Sequence, residues 1–348
     1  MPAVQPGPTN TYAPSHEASG KLVVDFSRNP SKFAFAKYCQ IVPVKKVYGY
    51  YLEMTVEEAG RILNSDGRDF LWPDNTVAPE GHNGNEYHEF KPFRTVRKAF
   101  PFNLGQLTVD QATWNIIAQY GRIKSQQAMT ERRQAAFNLM NDTNNYPAAQ
   151  NLDVTNITGN SGRWDQSTTA RQDIKRTITS AVELLLDNSL AAVDPDDFLL
   201  VMGTQAAAKT AQTQEIVDYI KQSPDATAQV RGELPGGTVM HGLPSKLYGL
   251  PVVVDATRKV TSKKGAATTA RSSIFPAEHA YIVARPGALE GVAEAPSFST
   301  ISFMMKEEMT VETKNDADNR RVKGRVVEDY AAVMTAPSMM IRLQGITG

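Results

Sequence analysis

The sequence predicts an α+β fold whose helical and strand-rich segments follow one another along the chain. Three observations carry that expectation. A long helical pattern spans residues 109–141, a central block alternates apolar strand runs with helices, and two long β-type runs close the chain. The 348 residues are 41% hydrophobic and 21% charged, an ordinary profile for a soluble chain of two or three domains. Lys+Arg and Asp+Glu each total 37, so the basic excess of a protein whose main task is gripping nucleic acid is missing. A neutral chain at high concentration is prone to associate. Cys39 is the only cysteine, which rules out an intramolecular disulfide and fits synthesis in a reducing cytosol. The opening MPAVQPGPTN has neither a positive nor an apolar region of a secretory signal. No run of about eighteen apolar residues occurs, which excludes an ordinary membrane helix.

Residues 1–32 are rich in Pro, Gly, Ser, Asn and Thr and cannot build a core alone. They read either as a disordered tail or as an arm that becomes ordered on a neighbouring subunit. Val23, Val24, Phe26, Phe33 and Phe35 favour the arm, because a solvated tail has little use for apolar anchors. Extended chain is expected over 37–54, a short helix over 55–63 and extended chain again over 89–100. The two strands enclose a long loop, the pattern of a hairpin with an elaborate tip. Phe70, Leu71 and Trp72 in that tip would be costly to expose, and a partner surface would explain them.

Thr108 predicts the N-cap of a helix over 109–141, roughly 45–50 Å long at about 1.5 Å per residue. Val109, Ala112, Ile116, Tyr120, Ile123, Ala136 and Met140 form its narrow apolar stripe, with Gln119, Arg122, Gln126, Glu131, Arg132 and Arg133 opposite. A second helix is expected over 170–190, with Thr169 and Gln172 as a capping box and Ile174, Ile178, Val182 and Leu185 facing inward. A buried strand over 198–202, a helix over 205–222, a strand over 247–255, a polar insert over 258–273 and a strand over 280–284 complete an α/β unit. The β-type runs 299–313 and 322–334 flank KNDADNRR, where Asn315, Asp316, Asp318 and Asn319 supply turn chemistry. A last strand covers 339–343, and no internal repeat is found.

Several motifs imitate chemistry. Gly203 to Thr210 (GTQAAAKT) follows a buried strand and opens a helix, as a phosphate loop does, and Val252-Val-Val-Asp255 imitates its acidic partner strand. Ala208 stands where the second glycine belongs, and three alanines prolong a helix where an open nest of N–H groups is needed. The plainer reading is a strand-to-helix joint with Lys209 solvated. His82 and His88 match no zinc spacing. Arg320 and Arg321 occupy places where a calcium loop needs a ligand and a glycine. No GxSxG elbow occurs. Arg258, Lys259, Lys263, Lys264 and Arg271 form a basic cluster, either a solvated loop or a contact with DNA or a neighbouring subunit. No catalytic residue, metal site or cofactor is expected.

The order of these elements (flexible arm, two-stranded excursion, long helix, α/β block, closing hairpin) resembles the major capsid proteins of tailed bacteriophages, the Hong Kong 97-type fold. LYGLPVVVD, AYIVARPG and VKGRVVEDYAAVM are similar in style to that family. The resemblance covers nearly the whole chain and rests on architecture. It implies an N-terminal arm at 1–32, the start of a peripheral domain at 33–43 and an extended loop at 44–100. It further implies a peripheral domain with a spine helix at 101–154, an axial domain at 155–291 and a peripheral β-sheet at 292–348. Some members crosslink a lysine to an asparagine or shed an N-terminal segment. No residues here license either, and the expectation is an untrimmed N-terminus.

The resemblance implies a structural protein, not an enzyme, that self-assembles as hexamers and pentamers into an icosahedral head. That head encloses double-stranded DNA without sequence-specific binding. Scaffolding and portal proteins, and a decoration protein, are the implied partners. The virion is the expected location, after assembly in the host bacterial cytoplasm, with no membrane. Phe26, Phe33, Phe70 and Trp72 are the expected anchors on neighbouring subunits, and Arg94, Arg97, Arg320 and Arg321 the expected intersubunit ion-pair residues. An encapsulin-like compartment shares the implied fold, and a phosphate-loop NTPase is the enzymatic rival.

Overall fold

The structure, a computed structural model, describes residues 35–53, 89–111, 115–160, 162–189, 193–222, 240–263, 267–287 and 299–348. The arm with Phe26 and Phe33, the 55–63 helix, and the loop tip with Phe70, Trp72, His82 and His88 lie outside the described residues.

Phe35–Tyr38 (α1) is one helical turn, so the extended chain expected from residue 37 begins instead at Cys39–Pro43 (β1). Tyr48–Glu53 (β2) and Glu89–Arg94 (β3) pair antiparallel, so the two-stranded excursion is present. Val96–Gly105 (β4) and the short helix Gln106–Gln111 (α2) follow. Ile116–Asn141 (α3) is the long helix, 26 residues, or about 39 Å. It starts later than the sequence predicts. Thr108 lies inside α2, and the cap is Asn115, whose Oδ1 accepts the Ala118 N–H at 3.0 Å.

The stripe of α3 holds the expected Ile116, Ala136 and Met140 but is displaced between them. Ile117, Gly121, Ser125, Ala128, Arg132, Ala136 and Met140 are buried, whereas the expected Tyr120 and Ile123 are 36% and 47% exposed. Small side chains let the helix lie close on its sheet, so the buried face is not the most apolar one. Arg132, expected on the polar side, is inside.

Asn151–Asp153 (β5) precedes Asp173–Ser189 (α4), which starts three residues later than predicted. The expected capping box does not form: Gln172 is left-handed with φ 53°, and the Thr169 hydroxyl donates to Asp218 at 2.5 Å. Phe198–Gly203 (β6) is wholly buried. The predicted 205–222 helix is two helices, Thr204–Ala211 (α5) and Gln214–Gln222 (α6), broken where the Thr213 hydroxyl donates to the Thr210 carbonyl at 2.7 Å. Lys246–Leu247 (β7) and Leu250–Asp255 (β8) join through Tyr248 and Gly249, with φ 48° and 96°, the pair of positive values a tight two-residue turn requires. The insert expected to be polar loop holds a small antiparallel pair, Arg258–Val260 (β9) and Arg271–Ser273 (β10). His279–Ala284 (β11), Ile301–Asp316 (β12), Arg321–Met334 (β13) and Met340–Gln344 (β14) complete the chain.

Two sheets organise these elements. One has the order β1-β12-β13-β4; the other, β5-β14-β11-β6-β8-β7. The last strand therefore joins the α/β sheet and not the long β12–β13 hairpin with which the sequence grouped it. Residues from both sheets share one core. Leu199, Val201, Tyr281 and Val283 meet Ile301, Phe303, Tyr330 and Met334, with Ala136 and Met140 of α3 between them. A second core lies under α4, around Trp164, Ile174, Ile178, Leu185 and Phe198. Buried hydroxyls seal the joint between the sheets: Thr300 Oγ1 accepts the Ala284 N–H at 2.9 Å and donates to the Met339 carbonyl at 3.1 Å.

Candidate assembly surface

The β2–β3 hairpin has two unlike faces. Tyr48 pairs with Arg94 and Tyr50 with Pro92, and strand alternation puts all four on one side. All four are exposed, Tyr48 by 62% and Tyr50 by 71%. The Arg94 guanidinium lies 5.2 Å from the centre of the Tyr48 ring. On the other side the Phe93 ring sits over Gly49, where a Cβ would approach it to 2.5 Å. The Tyr51 hydroxyl donates to the Met334 carbonyl at 3.2 Å. One face is docked on the body, and the other presents two tyrosines, a proline and an arginine to solvent. Sequence reasoning passed over Tyr48 and Tyr50 in favour of the loop tip. The alternation in VYGYYLEM was the available signal.

The expected arginines are in four different settings. Arg94 is on the hairpin's open face. Arg97, on β4, forms an exposed ion pair with Glu307 at 3.3 Å. Arg320 is exposed in the β12–β13 turn with φ 47°, its N–H bonded to the Ala317 carbonyl at 3.2 Å. Arg321 reaches Asp316 at 3.0 Å, and Lys323 reaches the same carboxylate at 2.6 Å. Hydrogen bonds from Lys323, Asn319 and Arg321 hold the Asp316 carboxyl well below the usual carboxylate range. Arg97 and the Arg320–Arg321 pair lie at opposite ends of β4, since Arg97 faces Asp329 and Gly105 faces Arg321.

The phosphate-loop imitation is resolved by packing. A Cβ on Gly203 would come within 2.6 Å of the Phe275 carbonyl oxygen, so that glycine serves a close backbone approach. Lys209, expected in solvent, is half-buried and donates to the Gly348 carbonyl. Asp255 is buried and accepts from the Tyr38 hydroxyl at 3.0 Å and from the Thr257 N–H at 2.8 Å. These bonds tie α1 to the end of β8 and leave Asp255 in a structural role.

A buried carboxylate holds the α/β block together. Glu215 of α6 accepts the N–H groups of Ile174 and Lys175 at 3.2 Å each, capping α4 from outside. It also accepts the hydroxyls of Ser167 and Tyr248, the latter at 2.5 Å. Burial, with the carboxylate beside it, pushes the Tyr248 hydroxyl far up.

No protein-family model matches this sequence, and no curated protein does. Solved structures do match. A phage-related protein from Bordetella bronchiseptica RB50 superposes with a TM-score of 0.62 at 13% identity, over 94% of this chain and 97% of that one. The virus-like particle from Pyrococcus furiosus gives 0.53 at 8% identity, over 95% and 100%. The bacteriophage PhiM1 mature capsid gives 0.51 at 11% identity, over 89% and 86%. At such identities the likeness establishes the fold: this chain has the α+β Hong Kong 97-type fold of phage capsid proteins.

Proposed function

We propose that the chain is the shell-forming subunit of a tailed-phage head, assembling as hexamers and pentamers around double-stranded DNA, and that it catalyses no reaction. The β2–β3 hairpin carries the reading. It projects two tyrosines on a face left exposed among the described residues, while its other face is pinned to the body. Covering about 100 Å² on each tyrosine contributes roughly 5 kcal/mol at about 25 cal/mol per Å², before association costs are subtracted. Repetition around a closed shell multiplies modest contacts. Arm 1–32, extended loop 44–100, spine segment 101–154, axial block 155–291 and the strands within 33–43 and 292–348 are the assembly units in this reading. Phe26, Phe33, Phe70 and Trp72 act with Tyr48 and Tyr50 as anchors.

Arg94, Arg97, Arg320 and Arg321 sit where a neighbour's carboxylates can reach them. An exposed pair such as Arg97–Glu307 is worth about 0–1 kcal/mol, so exchanging it for an intersubunit pair costs little. Scaffolding, portal and decoration proteins are the further partners of such a head, which is completed in the host bacterial cytoplasm and resides in the virion.

Electron microscopy of the concentrated, purified chain tests the proposal. Closed shells are expected from wild type. The double variant Tyr48→Ser/Tyr50→Ser should give folded subunits without shells, and normal shells from it would remove the hairpin's role. Shells that retain an enzyme and no nucleic acid would favour the encapsulin-like compartment.

A further inference from the structure

The chain is neutral as a whole, but its charge is unevenly placed. Residues 256–273 contain Arg258, Lys259, Lys263, Lys264 and Arg271 and no acidic residue. Within the β9–β10 hairpin, Arg258 faces Ser273 and Val260 faces Arg271, which puts both arginines on the same side. Both are exposed, as is Lys263 in the connection. Lys259, on the other side, donates to Gln134 Oε1 of α3 at 3.0 Å, and Arg133 donates to the Thr257 hydroxyl at the hairpin's base. Two bonds thus staple a basic hairpin to the long helix.

The helix extends the charge. Arg122 is exposed and precedes Arg133 by about three turns, roughly 16 Å along the same face. Glu131 is the only acidic residue of α3, and Lys98 holds it at 2.8 Å. The β12–β13 hairpin is balanced by contrast, with Arg325 paired to Glu312 at 2.5 Å and both Arg321 and Lys323 to Asp316. Val260 is the only large apolar side chain exposed on the β9–β10 hairpin among the described residues, too little for the core of a protein interface. Long, flexible cations on a rigid base suit phosphates, which they contact without reading bases.

We infer that the β9–β10 hairpin and the adjoining face of α3 bind the phosphate backbone of double-stranded DNA, and that this is the side of the subunit facing the packaged genome. The second clause rests on the shell reading; the first does not. Each subunit contributes only a few phosphate contacts, so binding is weak per copy and accumulates over the shell.

The test uses the full-length chain, diluted until microscopy shows no shells so that every face is open, and a fluorescent random-sequence duplex, with binding followed by anisotropy between about 50 and about 200 mM salt. The variant Arg258→Ala/Lys263→Ala/Arg271→Ala should flatten the slope of log affinity against log salt by about 2.7, at about 0.9 per phosphate lost. Replacing the exposed Lys45, Lys306 and Lys314 by Ala should leave the slope unchanged. Equal slopes for the hairpin variant and wild type overturn the inference, as does a wild type that binds no duplex at low salt. A hairpin variant that loses shells but keeps its DNA slope also overturns it, in favour of a contact with a second copy. If wild type forms no shells and the slope still falls, the shell reading fails and the DNA contact stands.

Discussion

Arg132 and Glu328 form a 2.7 Å ion pair between α3 and β13, almost completely out of solvent. Glu328 Oε1 has no hydrogen-bond partner among the described residues, so the carboxylate depends on that single arginine and on the field of Lys98 nearby. Burial raises the Glu328 carboxyl above its ordinary 4.5, and Arg132 pulls it partly back. Removing the cation alone strands a buried charge. Arg132→Met should therefore lose about 3–5 kcal/mol in urea unfolding, and Arg132→Met/Glu328→Leu should recover most of it. The pH dependence has a definite sign. A raised carboxyl holds its proton more tightly folded than unfolded, so stability falls as pH rises from 4.5 through the folded value. That fall should be steeper and reach higher pH in Arg132→Met than in wild type, as midpoints measured across pH would reveal. The sequence placed Arg132 among the polar residues because an arginine on a helix is usually solvated. Its partner lies 196 positions away.

Among the elements, the strands of the α/β block were the most legible, since the 198–202 and 280–284 runs are apolar throughout and fully enclosed. Helix α3 was legible in extent but not in orientation. Its contact face is built from Gly121, Ser125 and Ala128, which hydrophobic periodicity does not register, so the stripe was read through Tyr120 and Ile123 instead. The start of α4 was misread for a related reason: its cap comes from Glu215 on another helix, and a local motif search finds only Thr169 and Gln172. Glu215→Ala should leave two helix N–H groups, one buried and one part-buried, and two hydroxyls without their acceptor, destabilising the chain by about 2–4 kcal/mol. Hydrogen exchange should quicken most at Ile174 and Lys175, and unchanged protection there would argue against the capping role.

For the molecule as a whole, the two sheets are not independent bodies. Their shared core, the Thr300 bridge and the return of β14 to the α/β sheet cross-connect the regions that the sequence divided into peripheral and axial parts. Such cross-connection escapes a linear reading, because a five-residue strand carries no mark of which sheet it will enter. The single chain should accordingly unfold in one step, with helix signal and tryptophan emission sharing a midpoint in urea. Two separated midpoints would mean that each sheet holds its own stability. What the sequence displayed best was the order of elements, and that order sufficed for the fold.

Cys39 lies at the beginning of β1, 3% exposed, against a core that both sheets contribute to. Burial, with Asp255 next in effect, drives its thiol well above the ordinary cysteine value, so the reactive thiolate is suppressed as well as hidden. A thiol-specific dye added to native protein should label slowly, at the pace of the opening motion that uncovers β1, and should label stoichiometrically in denaturant. With one sulfhydryl per chain, the same reagent measures whether raising the protein concentration slows that opening, and no probe has to be engineered in.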